Sequence, residues 1–157
     1  MKIYTDGSYR DGKAAWGFIV KDNDGRLLHC QTGAVKANKS ANIEGELIAV
    51  MKAVEWALSK KRKVVHIYYD YSGIEKFATG EWIPKQPITQ FYWQFISLVP
   101  IQVVFHKVKG HLNHGNNIVD TLTRDALKKP PQDRQKLFGG LVRFIQNGEL
   151  VLNGLFA

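Results

Sequence analysis

The sequence predicts an α/β protein built on a five-stranded mixed sheet, three antiparallel strands and then parallel crossovers, with helices on its flanks. Three observations predict it. Residues 2–32 hold three strand-like runs separated by turn residues, the pattern of an antiparallel meander. Residues 43–58 place apolar side chains at helical spacing, and a near-continuous apolar run, 64–70, follows; a helix between two such strands makes a parallel crossover. A further helical stretch and another apolar run, 101–108, repeat the arrangement.

The first strand, Lys2-Ile3-Tyr4-Thr5-Asp6-Gly7-Ser8, alternates Ile3 and Thr5 on one face with Tyr4 and Asp6 on the other. It drives an acid toward the core, which costs several kcal/mol unless something compensates it. Residues 13–21 form the second strand, and Asp22-Asn23-Asp24-Gly25 turns it into a third over 26–32. Ser40-Ala41-Asn42 offers a cap to the helix over 43–58. There Ile43, Leu47, Val50, Met51, Val54 and Leu58 make the core stripe and Glu46 lies beside it. Four cations, residues 60–63, end that helix where its dipole favours them. The run 64–70 reads as a strand buried on both faces and ends in Asp70. A short helix over 72–79 stops at Gly80, a loop pinned by Pro84 and Pro87 follows, and residues 88–98 form another helix, broken by Pro100. Trp82, Tyr92 and Trp93 are expected in the core. Beyond the strand 101–108, residues 109–117 are a polar loop, and Ile118, Val119, Leu122, Ala126 and Leu127 predict a last helix carrying Asp120.

Composition changes after Lys128-Lys129-Pro130-Pro131, which divides the chain into a domain over 1–128 and an extension over 129–157. Within the extension, apolar runs at 141–146 and 149–152 flank Asn147-Gly148, a hairpin signal. A lone hairpin is marginal, so it is expected to dock on the domain, self-associate with a second copy or meet a protein partner.

The 157 residues suit one domain. The single cysteine, Cys30, excludes an internal disulfide and is expected as a buried thiol in a reducing compartment. No apolar run is long enough to span a membrane and the N-terminus lacks a signal-peptide layout, so a soluble, cytoplasmic protein with no membrane partner is expected. Lysine and arginine number 22 against 14 acids, a net charge of +8 that suits a polyanionic partner.

Against that basic background, Asp6, Glu46, Asp70 and Asp120 stand at strand or helix ends, where ligands of open α/β sheets gather. No lysine or arginine is placed in these strands to neutralise them. Hard oxygen donors without cysteine or paired histidines suit Mg²⁺, or Mn²⁺ in its place, rather than zinc. Two such ions roughly 4 Å apart can activate water and stabilise the leaving oxygen of a phosphoryl displacement. Basic charge with such a site reads as a phosphodiesterase. Glu44 competes with Glu46 for the helical position, since the two point roughly 200° apart and only one can face the metals.

Tyr4-Thr5-Asp6-Gly7-Ser8, Asn42-Ile43-Glu44-Gly45-Glu46-Leu47, the strand ending in Asp70, and Lys107-Val108-Lys109-Gly110-His111 followed by Asn116 and Asp120 resemble ribonuclease H of type 1 over about residues 1–128. Residues 69–76 and 79–82 are similar to the bacterial branch whose members often carry an N-terminal hybrid-binding domain, which is not among these residues. The resemblance implies the ribonuclease H-like fold and endonucleolytic cleavage of the RNA strand of an RNA/DNA hybrid, leaving 3′-hydroxyl and 5′-phosphate ends. It implies that Asp6 bridges two metals, that Glu46 and Asp70 complete the leaving-group metal, and that Asp120 holds the metal bearing the attacking water. It favours Glu46 over Glu44. His111 matches a loop histidine that assists proton transfer or product release. Asn42 matches a minor-groove contact, the Gly7 and Ser8 backbone would approach ribose 2′-hydroxyls, and Lys109 and Asn116 fall at substrate-side positions. The chain departs from the pattern at Arg10, where relatives often carry an asparagine that reads the RNA strand, at Ala41, where some carry a threonine for the DNA phosphate, and at Ile43, where others have a second amide.

Overall fold

A computed structural model describes residues 1–38, 40–109 and 114–145, with His114 and Asn116 as backbone only. The strands are β1 (Lys2–Arg10), β2 (Lys13–Lys21), β3 (Leu27–Lys36), β4 (Val64–Tyr69) and β5 (Gln102–Lys107). The helices are α1 (Ala41–Ser59), α2 (Gly73–Thr79), α3 (Pro87–Leu98), α4 (His114–Ala126) and α5 (Arg134–Val142). They form one mixed sheet in the order β3-β2-β1-β4-β5. The first three strands are antiparallel, and β4 joins β1, then β5 joins β4, in parallel. This is the expected ribonuclease H-like architecture.

Local chemistry sets the turns. Asp11 and Gly12 both have positive φ, 51° and 78°, in the two-residue connection between Arg10 and Lys13; such a turn carries the twist of the strands it joins. Asp22 Oδ1 accepts the backbone N–H groups of Asp24 and Arg26 at 2.9 and 2.8 Å, closing the β2–β3 loop. Gly80 ends α2 in the left-handed conformation, φ 81°. Pro87 opens α3 where a missing N–H costs nothing, and the Thr89 hydroxyl accepts the Gln86 N–H at 3.1 Å.

The main core lies between the sheet and α1, α3 and α5. Ile3, Phe18, Val20, Val65 and Ile67 meet Leu47, Val50, Met51 and Val54 of α1 and Phe91 and Phe95 of α3. On the other face α4 covers β1, β2 and β3 through Tyr4, Ile19 and Val119. Two glycines seat that helix. A Cβ on Gly115 would stand 2.6 Å from the Tyr4 ring, and one on Gly17 would stand 2.8 Å from Thr123 Cγ2 and 3.3 Å from Val119 Cγ2.

Several expectations are corrected. The run 64–70 is not buried on both faces: Val65, Ile67 and Tyr69 are buried, while His66 and Tyr68 are half-buried on the face that carries α4, beyond the strands β1, β2 and β3 that the helix covers. There His66 Nδ1 lies 2.9 Å from His106 Nε2, and Tyr68 stacks on His106 at 4.5 Å. Cys30 is exposed on β3. Of the three aromatics placed in the core only Tyr92 is there, its hydroxyl donating to the Ile74 carbonyl at 2.6 Å; Trp82 and Trp93 are 38% and 41% exposed. The last helix starts at His114 rather than 118.

The extension differs most. Leu141 and Val142, expected in the first strand of a hairpin, belong to α5, and residues 143–145 follow it without strand structure. The rest of that expected hairpin, 146–157, lies outside the described residues. The helix wins because Asp133 caps it, accepting from the Gln135 and Lys136 N–H groups at 2.8 and 3.2 Å. Leu137, Phe138 and Leu141 then share one buried face at helical spacing. The approach to α5 is pinned to β3: the Gln132 N–H donates to the Ala34 carbonyl at 2.7 Å, and Trp16 Nε1 donates to Gln132 Oε1 at 3.2 Å.

Phe138 is fully buried against Phe91, with ring centroids 5.3 Å apart. Phe138→Ala is therefore expected to lower stability in urea denaturation by about 3–5 kcal/mol, as in other large core truncations. A loss below roughly 1 kcal/mol would show that α5 is an appendage.

Candidate active site

The site forms where α1 crosses β1 at backbone contact. A Cβ on Gly7 would stand 2.8 Å from the Glu46 Cα and closer still to the Glu46 nitrogen. A Cβ on Gly45 would stand 3.1 Å from the Ala15 carbonyl carbon, closer still to its oxygen, and 3.2 Å from the Ser8 nitrogen. Only glycine permits this approach. It lays Glu46, in the second turn of α1, beside Asp6, near the end of β1 adjoining β4.

The two carboxyls are hydrogen-bonded to each other, and the Gly7 N–H donates to both. Burial raises the Asp6 carboxyl to about 7; the Gly7 N–H opposes that rise, and the charge of Asp120 adds to it. Glu46 is pushed well above the ordinary carboxylate range by burial, then by the Asp6 charge and hydrogen bond, with a smaller push from Asp70. Burial, the Gly7 N–H and other carboxylates act on both acids. Asp120, half-buried on α4, hydrogen-bonds Asp6. Asp70, just past the end of β4, is exposed at the rim. Tyr71 completes the wall; burial and the Glu46 charge raise its phenol.

Asp6, Glu46 and Asp120 thus come together, and Asp70 acts on them from the edge. Ser8 is half-buried next to Gly7, while Asn42, Arg10 and Lys109 are exposed. Asn116 lies on the first turns of α4, with only its backbone described, and His111 lies outside the described residues. Among the described residues no three histidine, cysteine or acidic side chains surround one point as metal ligands.

Sequence reasoning missed two cations. Arg124 Nη2 lies 3.2 Å from Asp120 Oδ2, one turn along α4, and the i,i+4 spacing could have revealed it. Arg134 of α5 pairs with Glu44 through both guanidinium nitrogens, Nη2 to Oε2 at 3.0 Å, and Nη1 also donates to the Lys36 carbonyl at 2.9 Å. Glu44 is 1% exposed and Arg134 9%. This settles Glu44: it turns inward to α5, and Glu46, on the other side of the helix, faces Asp6. No local signal joins residues 90 positions apart.

Strand order and an acid cluster beside the ends of parallel β1 and β4 define a nuclease of the ribonuclease H-like fold. Solved structures agree on the fold. RNase H1 of the halophilic archaeon Halobacterium salinarum superposes with a TM-score of 0.64 at 22% identity, covering 80% of this chain and 96% of that one. LC11-RNase H1, isolated from compost by a metagenomic approach and crystallised in complex with an RNA/DNA hybrid, gives 0.65 at 23%, covering 81% and 99%. In sequence, the RNase H family model matches residues 1–128. Ribonuclease H of Prosthecochloris aestuarii is 35% identical over 80% of this chain and 94% of its own length. That of Bradyrhizobium diazoefficiens is 34% identical over 82% and 90%. The chain belongs to the RNase H family and is a nuclease.

The raised acids make metal-free stability depend on pH. Asp6 binds its proton more tightly in the folded protein, at about 7, than in the unfolded chain, at 3.8. Its contribution to stability is therefore full below about pH 4 and is lost as pH rises through about 7. In EDTA, urea denaturation of Asp6→Asn should show a flatter pH profile than the parent and an advantage of roughly 2–4 kcal/mol at pH 8; parallel profiles would contradict the geometry. Separately, Arg134→Met or Glu44→Gln alone should cost about 3–5 kcal/mol, and Arg134→Met combined with Glu44→Leu should recover most of it.

Proposed function

We propose that this chain is an endonuclease that hydrolyses the RNA strand of RNA/DNA hybrids with two divalent ions, Mg²⁺ or in its place Mn²⁺, leaving 5′-phosphate and 3′-hydroxyl ends. The observation that carries the reading is the pair of Asp6 and Glu46 over the Gly7 N–H, with Asp120 against Asp6 and Asp70 at the rim. Its donors are oxygens only, on backbone that the Gly7–Gly45 crossing holds in place, and that donor set fits a hard divalent cation. The hybrid as substrate draws support from the complex of LC11-RNase H1.

Asp6, Glu46, Asp70 and Asp120 would hold the ions, whose chemistry when bound is to sharpen water as a nucleophile and neutralise charge on the leaving oxygen. The chain's own residues do the rest. Asp6 and Glu46 must give up protons to present anionic oxygens, and burial with the neighbouring carboxylates raises both above the ordinary carboxylate range. Water attacks phosphorus in line, the bond to the 3′ oxygen breaks, and that oxygen takes up a proton; His111 is the residue proposed to move protons or release product. Gly7 and Ser8 present backbone to the ribose 2′-hydroxyl, the group that separates RNA from DNA. Asn42, exposed at the start of α1, reaches outward toward the minor groove, and Arg10, Lys109 and Asn116 complete the substrate side.

One end-labelled sequence offered as RNA/DNA, RNA/RNA, DNA/DNA and single-stranded RNA, with Mg²⁺ or EDTA, tests the reading. Cleavage is expected in the RNA strand of the hybrid alone and only with metal. Asp6→Asn should reduce it by at least roughly a thousandfold, about 4 kcal/mol of transition-state stabilisation, while hybrid affinity stays within about threefold. Hybrid binding without cleavage by the parent chain would mark a scaffold that has lost its chemistry.

A further inference from the structure

A groove leaves the acid cluster along the seam between the β1–β2 turn and the last turns of α4. One part, about 500 Å³, is lined by Ser8, Tyr9, Arg10, Thr121, Arg124 and Lys128 among others. A second, about 380 Å³, shares Arg10, Arg124, Leu127 and Lys128 with it and continues past Lys13. The two are therefore one channel. It begins at Ser8, two residues from Asp6, and at Thr121, next to Asp120.

Its cations are differently committed. Lys13 Nζ donates to the carbonyls of Leu127 and Lys129 at 3.4 and 3.1 Å and ties the start of β2 to the segment that follows α4. Arg10 pairs with Asp11 at 3.6 Å, Arg124 with Asp120 at 3.2 Å and Lys128 with Asp125 at 3.7 Å. These side chains are largely exposed, and such pairs hold weakly, so each cation can turn to a stronger anion at little cost. Tyr9, 46% exposed, adds a ring to the same wall. Cations spaced along an open channel beside a free aromatic face suit a sugar–phosphate backbone and not a compact anion.

We propose that this groove, through Arg124 and Lys128, binds backbone phosphates of the nucleic acid as it runs off the acid cluster. The proposal rests on the hybrid-cleaving reading above and names where that substrate is gripped. Arg124 has two occupations in it. Paired with Asp120 it offsets part of the cluster's charge; drawn to a phosphate it frees Asp120, so substrate docking and carboxylate release are linked.

Hybrid binding by catalytically silent Asp6→Asn protein, measured by fluorescence anisotropy over a range of salt, tests this. Adding Arg124→Ala or Lys128→Ala should make the slope of log K against log salt shallower by about 0.7–0.9 each, and weaken binding roughly 3- to 10-fold at fixed salt. Lys136→Ala, on α5 and outside the groove, removes the same charge and should leave the slope unchanged. The Lys128 variant reads the groove without disturbing Asp120. If Arg124→Ala and Lys128→Ala behave as Lys136→Ala does, the groove is overturned and the function stands. If the Asp6→Asn protein binds no hybrid at all, the functional reading fails and the groove fails with it.

Discussion

Everything at the site depends on one close crossing, the backbone of α1 resting on the backbone of β1 with no side chain between them. Gly7 and Gly45 make it possible. A helix normally stands about 10 Å from a sheet because side chains fill the gap. Here the gap closes at one point, and that point is where a helical glutamate must reach a strand aspartate. Glycine at both positions gives up side-chain burial and adds backbone entropy to the cost of folding. The return is positional: the carboxyls of Asp6 and Glu46 meet over one N–H, with little freedom to separate.

Crowded acids oppose folding, and the structure answers on both sides of the same helix segment. On the site side the answer is partial: the Gly7 N–H, and Arg124 reaching Asp120. On the inner side it is complete, because Glu44 is held by both nitrogens of Arg134 and the helix around it packs on α5. A buried pair of this kind contributes little net stability compared with an apolar replacement. What it does is specify. With Glu44 bound inward, the start of α1 has one rotation about its axis, and Glu46 faces Asp6.

Much of this was legible in the residues. The helical spacing of Leu47, Val50, Met51 and Val54, the turn chemistry at 22–25 and the glycine stop at Gly80 each act within a few positions, so strand order and helix order followed from local pattern. The acids were legible because a carboxylate at the end of an apolar strand needs a reason. What escaped depends on contacts made across the chain. Leu141 and Val142 read as strand beside Asn147-Gly148, but Asp133 and the Leu137-Phe138-Leu141 face outweigh that signal once a core exists to receive them. Cys30 and the outer face of β4 were misplaced for a related reason: apolar composition says that a strand has one buried face, and only the reach of α4, which covers β1 and β2, meets β3 at Ala34 and does not reach β4, says which positions are buried on the other.

The match to the family ends at residue 128, yet the hydrophobic core does not, since Leu137, Phe138 and Leu141 belong to it. The segment beyond the family's boundary is therefore part of the machinery that orients α1. A nuclease site built on mutual repulsion needs stability from elsewhere, and a buried aromatic with its neighbours supplies a few kcal/mol of it. Placing that supply on α5, which touches Glu44 but not the acid cluster, separates two demands that conflict at the site. The acids can stay crowded, while the element that holds them in register carries no charge requirement of its own toward the cluster.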